Sequence, residues 1–515
     1  MVKVKKLFLI LLIVILLSLP ERLLAKETIN MILIPLEAPS TMYKKFLPLK
    51  RYLEQKLKIQ LKIKVARRSS FAVRALKEGS ADIAYLCPTL YVEAYKTIPI
   101  EPLVKLRVNG SSYYRSVILV RDDSPIKKTI QLADASFVYG RYACPGSGLL
   151  PEIMLKRLGI TESTMIDMVK LGSDQSAITA VLARMFDATA VAEMLAKTYI
   201  GRGLRVLRYS YAIPQYLFVA RKSLGADKIK KIKKALLSIN NSPDRYTILS
   251  SIEDGADGID PAFDRDYDIV RVLMKTLYPG ENFYNHTDSK YIKVYVEPVY
   301  FEPEIFVMLE PLIKDLSEKT GLRFKVIVPP SIKEFLKAQK LYKNALFIEN
   351  YHLAHSISRK LGGTIISILN IKGLTVPSKG LILVRRTSRI HSVEGLKGAR
   401  VGIPSEYSDG GFRAQLKLLN AYGIHKKDLN LVALGSYDKV LISLYRGEID
   451  AAFVTLTALK SLERDMNTQL FRTLASITIK NNWVMVANKG IKNLLIGKLR
   501  AVLSSIYHKN LTTPQ

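Results

Sequence analysis

The chain carries one pattern twice. Ile29-Asn-Met-Ile-Leu-Ile-Pro35 returns 263 residues later as Ile292-Lys-Val-Tyr-Val-Glu-Pro298. Leu47-Pro48-Leu49 and Leu53 are answered by Glu310-Pro311-Leu312 and Leu316, and Leu119-Val-Arg-Asp-Asp-Ser124 by Leu383-Val-Arg-Arg-Thr-Ser388. Gly172-Ser173-Asp174, a helical stretch and Asp187-Ala188 match Gly435-Ser436-Tyr437, a helical stretch and Asp450-Ala451. Order and offset persist, so the chain must fold as two related modules. Each spans ~220–250 residues, long for a stacked repeat and ordinary for a domain. The turn-rich stretch Tyr278–Ser289 is the expected join, giving modules at 26–284 and 288–515.

Within the first copy the patterning predicts strands at 29–34, 61–65, 82–86, 115–120, 136–140, 166–170 and 188–192. Helices fall between them, as at 43–57, 70–78 and 174–184. This alternation implies an α/β fold with parallel sheets and ligands at the carboxyl ends of the strands. The loops expected there are Glu37–Thr41, Arg67–Ser70, Cys87–Thr89, Cys144–Gly148 and Gly172–Asp174, most of them placing a hydroxyl or glycine near a helix start. Residues 137–159 show the arrangement best. A short aromatic strand breaks at Pro145-Gly146-Ser147-Gly148 and resumes with Leu150, Ile153, Met154 and Leu158 at helical spacing. Free N–H groups and the positive end of the helix dipole at such a junction favour an anion.

Lys3, Lys5 and Lys6 precede an apolar run, Leu7–Leu19, closed by Pro20. Residues 1–25 therefore read as a secretory signal peptide or, if uncleaved, an N-terminal anchor, and the rest as periplasmic or otherwise extracytoplasmic. Lys+Arg 78 against Asp+Glu 45 gives a formal charge of +33. Such a field favours anionic partners, but the charges are scattered and no nucleic-acid-binding module accompanies them. Cys87 and Cys144 are too few for a disulfide scaffold and are expected as free thiols. His352 and His355 sit three apart without a third ligand, so no metal is expected. No phosphate-binding loop, zinc-protease helix or nucleophile elbow is present, and no histidine precedes His286 to activate Ser173. Neither enzymatic activity nor a cofactor is expected.

Several segments in order carry a family likeness: Pro35, Pro48-Leu49 with Tyr52-Leu53-Glu54, Ala75–Tyr85, and Pro88 with Tyr91–Ala94. Tyr114–Arg121, Gly146–Pro151, Gly172-Ser173 and Asp266-Tyr267-Asp268 continue it. This order resembles the phosphate/phosphonate/phosphite-type substrate-binding proteins of ABC transporters, with the type II periplasmic binding fold. The likeness covers nearly all of the first copy and is weaker over 291–490. It implies tandem modules, each of two α/β lobes joined by a hinge, that close on a small anion. The partner implied is an ABC-transporter permease; the alternative is a membrane signalling protein that reads the ligand state.

The binding residues so implied are Ser69, Ser70, Phe71, Pro88, Thr89, Tyr91, Tyr114, Gly146, Ser147, Gly148, Ser173 and Asp174. Amides at Ser147 and Gly148 would hold the anion from one lobe, with Ser69, Ser70 and Thr89 from the other. Tyr91, with Tyr113 or Tyr114, would wall the cleft. The chain departs from the family where Pro145-Gly146 replaces two hydroxyl residues, Asp174 replaces a histidine, and Phe71 lacks a phenol. Pro404–Gly411 of the second copy adds Glu406 and Asp409, whose charges oppose an anion. The first copy is therefore the expected binder.

Overall fold

The computed structural model describes residues 27–142, 144–284, 291–369, 371, 378–479 and 483–512. The expected leader at 1–25 and residues 285–290 of the expected join lie outside the described residues. The chain forms two compact units. One is the chain to Tyr113 with Pro214–Asp266, the other Tyr114–Ile213 with Tyr267 onward.

The first unit is built on a six-stranded sheet. Thr28–Leu33 pairs in parallel with Gln60–Val65 on one side and Ile83–Leu86 on the other. Leu217–Arg221 then runs antiparallel between Ile83–Leu86 and Ile100–Val108, and Ala256–Pro261 forms the edge. The all-parallel expectation is thus corrected. Alternating βα patterns reveal consecutive parallel strands, whereas Leu217–Arg221 belongs to a segment that leaves the unit after Tyr113 and returns at Pro214. The helix Pro39–Leu57 packs Met42, Phe46, Leu49 and Leu53 into the core, the 3–4 spacing of one helical face. Phe46 meets Tyr85 and Phe218 edge-on at ring distances of 5.2 and 6.3 Å. Each such buried aromatic contributes roughly 1.5–3 kcal/mol through lost apolar exposure.

The second unit holds three sheets. Its first runs Leu204–Tyr209, Ser116–Arg121, Ala188–Ala192, Ser136–Tyr139 and Asp167–Lys170. The next runs Arg323–Ile327, Tyr291–Val296, Leu346–Asn350, Trp483–Ala487 and Thr364–Leu369. That is the order of the first unit's sheet without a counterpart of Ala256–Pro261 among the described residues. The last runs Asn430–Ala433, Arg400–Ile403, Ala451–Thr455, Ser378–Arg385 and Phe471–Ile479, repeating the first of the three in reverse listing. Two copies of a two-lobed α/β module therefore stand in tandem. Even the proline within the first long helix, Pro48, has its mate at Pro311 in the helix Glu302–Thr320. No described helix is long and apolar enough to cross a membrane.

Candidate functional site

In the first unit, the parallel strands Thr28–Leu33, Gln60–Val65 and Ile83–Leu86 end at one sheet edge. Each leads into a helix there, beginning at Pro39, Ser69 and Pro88. The residues before those helices, Ala38, Arg68 and Cys87, do not cap the first-turn N–H groups with their side chains. Apart from the Phe71 amide, which Arg68 O accepts, their leading N–H groups stand at the positive dipole ends without a side-chain cap. Ser69, Ser70 and Phe71 open one helix; the Phe71 amide donates to Arg68 O at 2.9 Å, and its ring lies beneath the Arg74 guanidinium at 5.3 Å. Pro88 and Thr89 open another, with Thr89 Oγ1 3.3 Å from Cys87 Sγ. Tyr91 is fully buried and donates its phenol to Asp264 at 2.7 Å. It supports this edge from within instead of walling it.

The residues named in the second unit are differently arranged. The Ser147 and Gly148 amides both donate to Cys144 O, at 3.2 and 2.9 Å, and Leu150 N donates to Pro145 O at 2.9 Å. The expected amide cradle is thus spent inside its own turn, because the Pro145-Gly146 reversal brings these carbonyls over the amides. A Cβ at Gly148 would lie 1.8 Å from Tyr142 O, so close packing requires that glycine. Gly146 accepts from the Ser116 hydroxyl, and Ser147 and Tyr114 are buried. Ser173 caps its own helix through Ser176 N at 3.3 Å. Asp174 accepts from Arg141 N at 2.7 Å, so its carboxylate is occupied by the backbone.

The second copy caps several of the matching helix starts, although Phe301, the counterpart of Ala38, does not cap either. Ser331, Asn350, Ser408, Ser436 and Thr455 accept from Glu334 N, Leu353 N, Gly411 N, Lys439 N and Ala458 N at 2.9–3.4 Å. Their counterparts in the first copy are Arg68, Cys87, Gly148, Ser173 and Ala192, of which Ser173 alone caps. The two lobes of the second copy are also drawn together. Tyr437 N donates to Val299 O at 2.9 Å, Phe301 N to Asp438 at 3.2 Å, and Asn350 Nδ2 to Tyr407 O at 3.1 Å. The Tyr300 and Tyr437 rings lie 5.0 Å apart. About 10 Å³ remains among Glu297, Tyr300, Asn350, Tyr437 and Trp483 for a water-sized sphere, too little for a ligand.

Glu297 and Glu349 are among the buried carboxyls of this closed copy. Glu297 accepts from the Asn350 amide at 2.9 Å and from its Nδ2 at 3.0 Å, and burial pushes it up to about 7. Burial pushes Glu349, bonded by Ser358 and Gln339, up to about 8. Of the two acids expected to repel an anion, Glu406 pairs with Lys426, while Asp409 stays close to His352 and Arg413. Cys87 and Cys144 are both free thiols. Among the described residues no group of three or more His, Cys, Asp or Glu could hold a metal ion.

Residues 31–267 and 294–512 match the family of periplasmic substrate-binding proteins of phosphonate ABC transporters. The chain belongs to this family. Both copies match it separately, as two tandem modules require. Distant fold likenesses exist among solved structures. An ATP-bound protein of Xanthomonas citri is 16% identical, with 50% of this chain and all of that one covered at a TM-score of 0.44. PhnD1 of Prochlorococcus marinus in complex with methylphosphonate is 18% identical, with 49% and 98% covered at 0.43. The BvgS periplasmic domain of B. pertussis is 14% identical, with 93% and 88% covered at 0.31.

One residue of this family member escaped the sequence reading. Arg157 ends the helix Leu149–Arg157 of the first copy and is almost wholly buried. Its guanidinium donates to Asp438 at 2.8 and 3.0 Å and to Glu304 at 2.7 Å, with Asp465 at 3.8 Å. Arg208 reaches Asp465 at 2.8 Å, and Thr129 bonds the same carboxylate at 3.0 Å. Glu304 lies in one lobe of the second copy, and Asp438 and Asp465 lie in the other. A single side chain thus ties a lobe of the first copy to both lobes of the second. Burial alone would draw Arg157 down, but Asp438, Tyr211, Glu304 and Asp465 outweigh it and hold the group charged. A basic residue at a helix end before a glycine reads as a solvated dipole partner. Nothing local marks Arg157 as buried.

Proposed function

We propose that the chain is an extracytoplasmic solute-binding protein for an ABC transporter. Its first copy captures a small oxyanion or organic acid at the helix starts Ser69–Phe71 and Pro88–Thr89, while its second is a closed scaffold that binds no small anion in its own cleft. The observation that carries this reading is the contrast in helix caps. The N–H that Asn350 satisfies in the second copy has no side-chain cap at the matching helix start after Cys87, while the N–H matching the one Ser331 satisfies, that of Phe71, is held by the Arg68 backbone and not by a side chain. Family membership and the +33 charge favour the same class of ligand. Each charge-assisted hydrogen bond to a bound anion adds roughly 1.5–3 kcal/mol. Calorimetry of the full chain against phosphate, phosphite, methylphosphonate and short carboxylates tests it. One saturable site is expected, and no binding at millimolar concentration or tighter defeats it.

A second reading is favoured by the Arg157 tie. A module held shut and fastened to a lobe of the first copy suits a protein that presents its ligand state to a membrane partner. Reconstitution with a permease separates the two. Ligand-dependent transport supports the first reading, and a stable complex without transport supports the second.

A further inference from the structure

The second copy carries a groove of about 910 Å³ that spans its two lobes and meets the filled cleft at Asp409. Arg413 and Lys417, one helical turn apart, line one wall, and His352 and His355 line the other with Asp409 between them in the chain's electrostatics. Ile368, Phe412 and Tyr351 supply an apolar surface beside them. The side chains of Arg413, Lys417 and His352 make no hydrogen bond or short ion pair with any described residue. The nearby acid Glu406, by contrast, is paired with Lys426.

We propose that this groove binds an amphipathic organic monoanion, a carboxylate with a hydrocarbon or aromatic body. The charge count sets the class. Arg413 and Lys417 bring two positive charges, and Asp409 returns one negative charge. Burial, and then Arg413, lower the affinity of His352 for a proton, so its imidazole enters as a neutral donor or acceptor. The surplus is one positive charge, matched by one carboxylate. The apolar wall favours a ligand body that phosphate and sulfate lack, and a volume near 900 Å³ lies within the usual range for small-molecule sites. An occupant would touch both lobes and add to the closure that Arg157 already enforces. This site is independent of the one proposed for the first copy.

Equilibrium dialysis of the full chain with 3-phenylpropanoate is the direct test. One bound molecule per chain that excess inorganic phosphate does not displace is expected. Arg413→Ala with Lys417→Ala should weaken binding at least tenfold, because two charge-assisted contacts go together. Both residues are exposed, so the fold should survive, and an unchanged melting curve checks that. Asp409→Asn should tighten binding several-fold by removing the like charge. Excess inorganic phosphate, and the pair Arg68→Ser with Cys87→Asn in the first copy, should leave it unchanged. No binding, binding indifferent to the Arg413/Lys417 pair, or displacement by phosphate overturns the proposal. Tighter binding of phenylalanine than of 3-phenylpropanoate also overturns it, since Asp409 would then be holding an ammonium group.

Discussion

The two copies share strand order, helix positions and an interval of about 263 residues, yet they cap three matching helix starts differently. Where the second copy has Ser331, Asn350 and Thr455 before its helices, the first has Arg68, Cys87 and Ala192. A cap turns a helix start inward and satisfies it; an uncapped start keeps its donors for a ligand. One residue per helix thus decides whether a first-turn N–H has a side-chain cap, while the sheet pattern that fixes the fold stays the same. The cleft follows suit, because Tyr300, Tyr437 and Trp483 fill the space that a ligand would occupy.

The largest expected effect comes from cutting the tie that keeps the second copy closed. Arg157→Ala leaves Asp438 and Asp465 buried beside a single remaining cation, Arg208. Breaking a buried pair from one side costs about 3–5 kcal/mol. Denaturant unfolding should show that loss, and Arg157→Lys should recover only part of it, since an ammonium cannot hold Asp438 with two nitrogens. A variant with unchanged stability would show that the side chains in the cleft close this copy unaided.

Next in size is a dependence on pH that the buried carboxyls of the second copy contribute. Glu297 and Glu349 hold their protons in the folded state up to about 7 and about 8, against an ordinary value of 4.5. From about pH 5 upward the unfolded chain has released protons that the folded chain still binds. Stability therefore falls as pH rises from 5 through 8, by at most about 1.4 kcal/mol per pH unit for each group. Glu349→Gln should flatten the upper part of this slope in thermal melts at successive pH values. A stability that instead rises over this range would contradict the burial of both carboxyls.

Exchanging caps probes the comparison directly. Arg68→Ser with Cys87→Asn transplants the second copy's caps into the first, and should stabilise by ~1 kcal/mol per cap while weakening anion binding. Ser331→Ala should cost ~1 kcal/mol and leave anion binding as it was. If the transplanted caps leave anion affinity unchanged, the helix starts of the first copy are not where the anion sits.

Much of this architecture could be read from the chain because it repeats local patterns. The strands read at 61–65 and 188–192 appear as Gln60–Val65 and Ala188–Ala192, since alternating β-branched and apolar residues encode them locally. The helix read from 43 begins at Pro39, where proline suits the first turn. What escaped depends on distant segments. Leu217–Arg221 pairs antiparallel with a strand more than a hundred residues earlier, and Arg157 meets Glu304 and Asp438 147 and 281 residues away. The Pro145–Gly148 turn misled for a different reason. Its glycines suggested an open cradle, while its own carbonyls claim the amides. The cap contrast was legible in the chain, because Ser331, Asn350 and Thr455 are preferred cap residues and Arg68, Cys87 and Ala192 are not.

The smallest effect tests whether the copies are equivalent in backbone as well as in order. The first long helix ends at Lys58, in the left-handed region with φ 57° and ψ 34°, while its counterpart ends at Gly321 with φ 68°. A left-handed conformation costs a residue with a Cβ about 1–2 kcal/mol. Glycine avoids that cost but gives up about 0.5–1 kcal/mol to the greater freedom of its unfolded chain. Lys58→Gly should therefore stabilise by only about 0.5 kcal/mol, and Lys58 is exposed, so little side-chain packing is lost. Gly321→Lys should cost a similar amount. No atom lies within 4 Å of the Cβ it would introduce, so the penalty would be purely one of backbone. Paired melting curves of the two variants should move in opposite directions by comparable amounts. If both stay still, the helix ends adjust freely, and the match between Lys58 and Gly321 is one of position without a shared conformational demand.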